Sequence, residues 1–399
     1  MTDEFDETRD FSSAASSQIV AEDSDDFPSA YESGEPVEHD SAPRVRGFYL
    51  TPRQTFTGLA ITLALVLLIL LGYLWWLYRP ANYTQAGGES KPGVEPVLAL
   101  YGPGRGKLPR FDSPMGAAWG KDDRIYVADS ANSRIAVFDK EGVFLFEFGG
   151  FGIAKPLEGA KATWKPGMLD YPTDVAVDGD SGDVYVADFF NDSVSAFTSE
   201  GKFLRRFPDP QKPVGRGSSG ADAKGIAVTA VAVADGKVYA TDTYQVFVFD
   251  TKGKLIRQFG MPGLDPGQLD HPNGLAVDSR GHIYVSDSNH NRVTAFDSVG
   301  KPLWTTGSKI SDLDKETTNP FVLPRGMAIA GDGSLLLADP LGQNLVKLTE
   351  DGVPLAVYGT RGSDVGEFNF PNDVSIRGKL VLVADRENNR IQVVRLTNR

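Results

Sequence analysis

No cysteine occurs anywhere in the 399 residues, so thiol catalysis, disulfide staples and cysteine-held metal are excluded together. Histidine is nearly as scarce, with four copies, three of which (His271, His282 and His290) crowd into one short stretch. A catalytic zinc centre draws about three such ligands from separate elements, and this distribution does not offer them. A basic surplus is missing as well. The formal charge is −13, and residues 1–43 alone carry thirteen Asp or Glu against one Arg, which leaves the rest near neutrality. Nucleic acid is therefore not an expected partner. No Gly-rich phosphate loop and no Ser/His/Asp arrangement stands out.

What is present divides by segment. Residues 1–43 combine acidic residues with Ser and Ala and few large apolar side chains, which predicts a disordered tail. From Phe56 to Tyr78 no charge occurs, and thirteen of these positions are Leu, Ile, Val or Phe. A helix of that length rises roughly 34 Å against a hydrocarbon core of about 30 Å. Tyr73, Trp75, Trp76 and Tyr78 form an aromatic belt at its end, and Arg79 with Pro80 closes it. A cleaved signal peptide fits poorly, because the run is long, starts far from Met1 and lacks a small-residue cleavage pattern. Arg44, Arg46 and Arg53 precede the span and only Arg79 and Lys91 follow closely, so the N-terminus is expected inside the cell and the remainder outside.

Beyond about residue 95 the chain repeats. The clearest unit, His271 to Phe296, reads HPNGLAVDSRGHIYVSDSNHNRVTAF: a strand, a Gly turn, a β-branched strand ending in Asp, a polar turn and a third strand. Cognate second strands end in Asp129, Asp188, Asp242, Asp287, Asp339 and Asp385, which gives six units of four strands. Runs such as FLFEFG (Phe144–Gly149) supply the fourth strand. The last unit lacks one, and VLALYG (Val97–Gly102) stands unused before the first, so it is expected to complete the sixth unit beside the C-terminal strand. Three connectors of equal length, Tyr101–Pro114, Phe259–Pro272 and Tyr358–Pro371, support that register.

These units resemble NHL repeats, in PNGLAVD, GHIYVSD and SNHNRVTAF of the fourth unit, IYVADSANSRIAVF of the first and VLVADRENNRIQVV of the last. The third unit departs, with Val228 for the usual Pro, and the fifth carries DPLGQN. The resemblance implies an all-β, six-bladed β-propeller closed by an N-terminal strand. The expected plan is an acidic cytoplasmic tail with a basic end at 1–54, a transmembrane helix at 55–79, a linker at 80–94 and the propeller at 95–399.

Candidate site residues come from one-off features. Connectors Phe148–Pro172, Phe207–Val228 and Thr306–Pro324 exceed the common length, and long loops on a rigid scaffold are where binding is usually built. They place Phe151 and Trp164 on a rim that also carries Lys155, Lys161, Lys165, Arg205, Arg206, Lys212 and Arg216. Two positions after each first-strand Pro stand Gly116, Asp174, Ala230, Gly274, Gly326 and Asp373. The two acids break the small-residue rule of a channel lining. With Asn273 and Arg325 they form a candidate polar or cation site. The recurring Asp129, Asn132, Arg134 and Asp287, Asn289, Asn291, Arg292 read instead as turn anchors.

The expected function is a membrane-tethered, extracytoplasmic binding, scaffolding or sensing module for a protein or cell-envelope ligand, with a monomeric propeller and no evident cofactor. A channel-metal hydrolase or lyase of the lactonase-like propeller type, with a divalent cation in the channel, is the alternative. The lyases among such propellers use a histidine-bound zinc, for which the histidine set is absent here.

Overall fold

A computed structural model describes residues 52–77, 93–103, 110–154, 161–208, 227–307 and 320–397. Most of the acidic tail, the last residues of the predicted span, most of the predicted linker at 80–94, and Lys155, Lys212 and Arg216 of the predicted rim lie outside them. The chain divides into two units, Met1–Arg79 and Pro80–Arg399.

The first unit contributes helix α1, Pro52–Leu77. It begins three residues before the predicted span because Pro52 serves as its opening residue, where a missing N–H costs nothing. Its side chains are described for Ala60–Tyr73, and these are exposed. Among the described residues no helix is long and apolar enough to cross a membrane.

The second unit opens with β1, Val94–Leu100, and continues through six four-stranded antiparallel sheets. Sheet 1 holds β2 (Pro114–Trp119), β3 (Ile125–Asp129), β4 (Arg134–Phe138) and β5 (Phe144–Gly149). Sheet 2 holds β6 (Pro172–Val177), β7 (Val184–Asp188), β8 (Ser193–Phe197) and β9 (Phe203–Phe207). Sheet 3 holds β10 (Ala230–Ala234), β11 (Lys237–Thr241), β12 (Val246–Asp250) and β13 (Leu255–Phe259). Sheet 4 holds β14 (Pro272–Val277), β15 (Ile283–Asp287), β16 (Arg292–Phe296) and β17 (Pro302–Gly307). Sheet 5 holds β18 (Met327–Ile329), β19 (Leu335–Asp339), β20 (Asn344–Leu348) and β21 (Pro354–Tyr358). Sheet 6 holds β22 (Pro371–Arg377), β23 (Leu380–Asp385) and β24 (Arg390–Leu396), with β1 beside β24. First strands of consecutive sheets lie against one another, and β22 lies against β2. This is a six-bladed β-propeller.

Strand β1 runs Val94–Leu100, three residues earlier at its start than VLALYG suggested. The reason is Pro96, which reads as a strand breaker but sits on an edge strand, with a register shift between Pro96 and Leu98 that accommodates it. The other departure is in the third repeat, where β11 stops at Thr241 and Asp242 falls in the shortened turn.

Six apolar clusters occupy the seams between neighbouring sheets, so the core is a ring of interfaces and not one central mass. Alternation explains this: second and third strands are buried on both faces, and their Val, Ile, Leu and Phe serve two seams. The second-strand Asp is buried and accepts the backbone N–H just ahead of the first strand of its own sheet: Asp112 to Asp129 at 2.8 Å, Asp170 to Asp188 at 2.7 Å, Asp270 to Asp287 at 2.7 Å and Asn369 to Asp385 at 2.7 Å. In sheets 1, 4 and 6 the third-strand Arg donates its Nε to the same carboxylate, at 2.7 Å from Arg134, 2.7 Å from Arg292 and 2.6 Å from Arg390. Sheet 2 has Ser193 at that position, and there burial pushes the Asp188 carboxyl up to about 7.

Candidate functional site

The residue that follows the first-strand proline occurs once per blade: Met115, Thr173, Thr229, Asn273, Arg325 and Asn372, with Val228 replacing the proline in sheet 3. All six line one cavity of about 180 Å³ where the first strands begin. Asp174, Gly326 and Asp373, one position further on, line it too, and Tyr171 and Phe189 add two rings. Four of the sequence-derived candidates, Asp174, Asn273, Arg325 and Asp373, are thus brought together from sheets 2, 4, 5 and 6.

Each acid is held by backbone. Asp174 accepts from its neighbour Val175 N at 2.7 Å and, across the seam to sheet 3, from Val231 N at 2.8 Å. Asp373 reaches from sheet 6 to sheet 1 and accepts from Ala117 N at 3.0 Å. The glycine rule of the channel follows from this. A Cβ on Gly116 would stand 2.8 Å from the Asp174 Cα, and one on Gly326 would overlap Asp373 Oδ1, so a small residue precedes each acid around the ring.

Burial pushes both carboxyls up, Asp373 to about 7, and the nearby Asp373 charge raises Asp174 further. A group whose folded pKa lies above its unfolded value contributes stability that is present below the unfolded pKa and lost as pH rises through the folded one. For Asp373 that window runs from about 4 to about 7. Asp373→Asn should therefore raise the unfolding midpoint by roughly 3–6 °C at pH 8 and by little at pH 5, read by scanning calorimetry. An equal shift at both pH values would show that the carboxyl is not held above its usual range.

Arg325 lies on the opposite electrostatic footing. Its Nη1 donates to Asn372 Oδ1 at 2.8 Å, and Asn372 Nδ2 in turn donates to Met115 O at 2.7 Å. Desolvation, with Arg386 nearby, lowers its pKa to about 10. Asn273 donates to His271 O at 2.8 Å and keeps its side chain partly exposed.

The two rim aromatics separate. Phe151 is 60% exposed and bridges to Leu169, the position taken in other connectors by Pro262 with Leu269 and Arg361 with Phe368. The extra residues of this connector therefore all lie between the two bridge partners. Trp164, within them, is half-buried: its Nε1 donates to Met168 O at 2.7 Å, Phe203 meets it edge-on at 5.8 Å, and the Arg206 guanidinium sits 4.2 Å from its ring centre. Most of its surface is engaged within the chain.

Sequence reasoning missed Tyr171, Phe189 and Asn372. The signal was there: Phe189 and Phe190 interrupt a turn that reads Ser-Ala or Ser-Asn in the first and fourth units, and Tyr171 and Phe370 replace the Ser113 of the first unit before the proline. Tyr171 and Phe370 hold φ of 58° and 56°, left-handed backbone that is uncommon for large residues.

A divalent cation does not fit this donor set well. Both Asp174 oxygens and Asp373 Oδ2 already accept backbone N–H groups. Among the described residues no group of three or more His, Cys, Asp or Glu is placed to hold a metal ion.

Comparison with known proteins agrees with the repeat reading. The NHL repeat profile matches residues 111–138, 169–197, 269–296 and 368–394. The Drosophila melanogaster protein brain tumor is 31% identical over 198 residues, covering 50% of this chain and 13% of that protein. A Caenorhabditis elegans protein described as a probable peptidyl-alpha-hydroxyglycine alpha-amidating lyase is 28% identical over 153 residues, covering 37% of this chain and 42% of that one. The chain thus spans less than half the length of either relative. A solved Bacteroides thetaiotaomicron protein of unknown function superposes with a TM-score of 0.54 at 18% identity, over 71% of this chain and 70% of that one, which is a likeness of fold.

Proposed function

We infer that this chain, whose NHL repeats fold into a six-bladed β-propeller, is a membrane-tethered binding module that receives a ligand from the cell envelope at the channel cavity. The observation that carries the reading is the convergence of Asp174, Asn273, Arg325 and Asp373 from four blades on one cavity. Repeating turn residues are explained by the repeat. These four are not, because Asp174 and Asp373 stand in a column that is otherwise Gly or Ala, and Asn273 and Arg325 in one whose residue changes from blade to blade. Phe151, free on the rim, extends the surface beyond the cavity.

The tether rests on sequence physics: the run from Phe56 to Tyr78 carries no charge, and thirteen of its residues are Leu, Ile, Val or Phe. Three arginines precede that run closely, which favours an internal N-terminus and an external propeller. Pairing of β1 with the last strand completes the sixth blade and covers the edge of β24, which suits a monomer.

The absence of native cysteine makes the test direct. Lys140→Cys, on an exposed turn of sheet 1, should react with a membrane-impermeant maleimide in intact cells, and Asp3→Cys in the tail should react only after lysis. The reverse pattern would overturn the orientation. Asn273→Cys should also label, and addition of solubilised envelope material should slow that reaction at least threefold. Unchanged labelling at Asn273→Cys would remove the cavity as the site.

A further inference from the structure

Among the described residues, the three buried arginines each have a carboxylate partner: Arg134 with Asp129, Arg292 with Asp287 and Arg390 with Asp385. Arg325, half-buried and the only charged residue in the ring that follows the first-strand prolines, has no ion pair among the described residues. Its Nη1 bonds a neutral amide, and its Nε is buried without a hydrogen-bond partner. Leaving a guanidinium N–H buried and unmatched is costly, and natural sites resolve that cost with a partner.

A second guanidinium stands close by. Arg386 and Arg325 lie 5.2 Å and 5.7 Å from the centre of the same Phe370 ring, and the Arg386 Nε also lacks a hydrogen-bond partner. Arg386 approaches Glu387 Oε1 only at 3.6 Å. Two like charges share one aromatic ring, beside a cavity whose acids are turned into backbone bonds. We propose that the cavity binds a carboxylate-bearing small ligand, with Arg325 as its direct partner and Arg386, at the same Phe370 ring, supplying a second positive charge.

Carboxylate fits better than a doubly charged phosphate. A planar monoanion matches the guanidinium fork and leaves one charge to desolvate in a cavity of about 180 Å³, whereas a phosphate dianion leaves two. Tyr171 and Phe189 offer rings to a short apolar body attached to that carboxylate. The proposal rests on the cavity being the ligand site.

Titration calorimetry of the full-length protein with benzoate, benzylammonium and inorganic phosphate tests it. Benzoate should bind saturably in the millimolar range or tighter, and more strongly than either other probe. Arg325→Leu should weaken benzoate at least tenfold and Arg386→Leu about threefold. Arg325→Lys keeps charge and stem if the leucine variant fails to fold, and should still lose threefold or more because the fork is gone. Benzoate binding unchanged by Arg325 substitution would overturn the proposal. If benzylammonium binds instead and is lost with Asp373→Asn, the cavity remains a ligand site and the carboxylate assignment falls. If no probe binds and Asn273→Cys labelling is unprotected, both readings fall.

Discussion

Deleting Val94–Leu100 should lower stability by about 5 kcal/mol or more and leave the propeller prone to aggregation. Strand β1 is the outer strand of sheet 6, paired with β24 from Val94 opposite Leu396 to Leu100 opposite Ile391. Leu100 is 5% exposed and packs with Phe111, Leu382, Ile391 and Val393, with Leu98 against the same cluster. Truncating one buried leucine costs about 3–5 kcal/mol, and each backbone group left buried and unpaired adds about 1–3. Against a total stability of about 5–15 kcal/mol that loss is close to unfolding. The bared edge of β24 would also offer its N–H and C=O groups to another chain. Removing residues 80–92 instead, outside the strand, should leave the midpoint within about 1 °C. Denaturant unfolding of the two deletions decides it: an equal loss from both would show that β1 does not carry the ring's closure.

The repeats were legible because propeller geometry writes itself locally. An Asp at the end of each second strand, a Gly turn and an apolar alternation are short-range signals, and each of the six marked residues lies at or beside the end of a second strand. The N-terminal strand was legible by elimination, yet its start was not, because Pro96 reads as a breaker unless the strand is known to be an edge. The cavity was half legible. Asp174 and Asp373 stood out as acids in a small-residue column, but the lining proper is the column one residue earlier, whose Met, Thr and Asn look unremarkable until the six first strands are set side by side. Tyr171 and Phe189 belong to a connector and a turn, elements whose side-chain direction depends on backbone angles that no periodicity reports. Trp164 shows the converse. A lone aromatic in a long connector suggests a free surface, and folding places it on Phe203 under Arg206.

The Asp385–Arg390 pair bears the other large prediction, since it ties sheet 6 to the connector that leads into it. Arg390 is 1% exposed; its Nε donates to Asp385 Oδ2 at 2.6 Å, Nη1 to Ser363 O at 2.8 Å, and Nη2 to Asp364 O at 2.7 Å and Glu367 O at 2.9 Å. Arg390→Ala removes these four, with a fifth from Nη1 to the Tyr101 hydroxyl at 3.4 Å, and leaves the fully buried Asp385 without its cation, which should cost about 3–5 kcal/mol. Arg390→Lys should fall between wild type and alanine, because one ammonium cannot reach acceptors on both sides. The sign of the pH effect follows from sheet 2, where Ser193 takes the arginine's place and burial holds Asp188 up at about 7. In Arg390→Ala the Asp385 carboxyl should be driven upward in the same way. Its charged form is then penalised as pH rises through that raised value, so the deficit should be larger at pH 8 than at pH 5. Asp385→Asn combined with Arg390→Met should recover part of the loss at pH 8, since the uncompensated charge is gone while volume is kept. Midpoints measured for the three variants at both pH values check the argument, and a deficit for Arg390→Ala that is the same at pH 5 and pH 8 would mean that the lost carbonyl bonds, and not the stranded carboxylate, account for the cost.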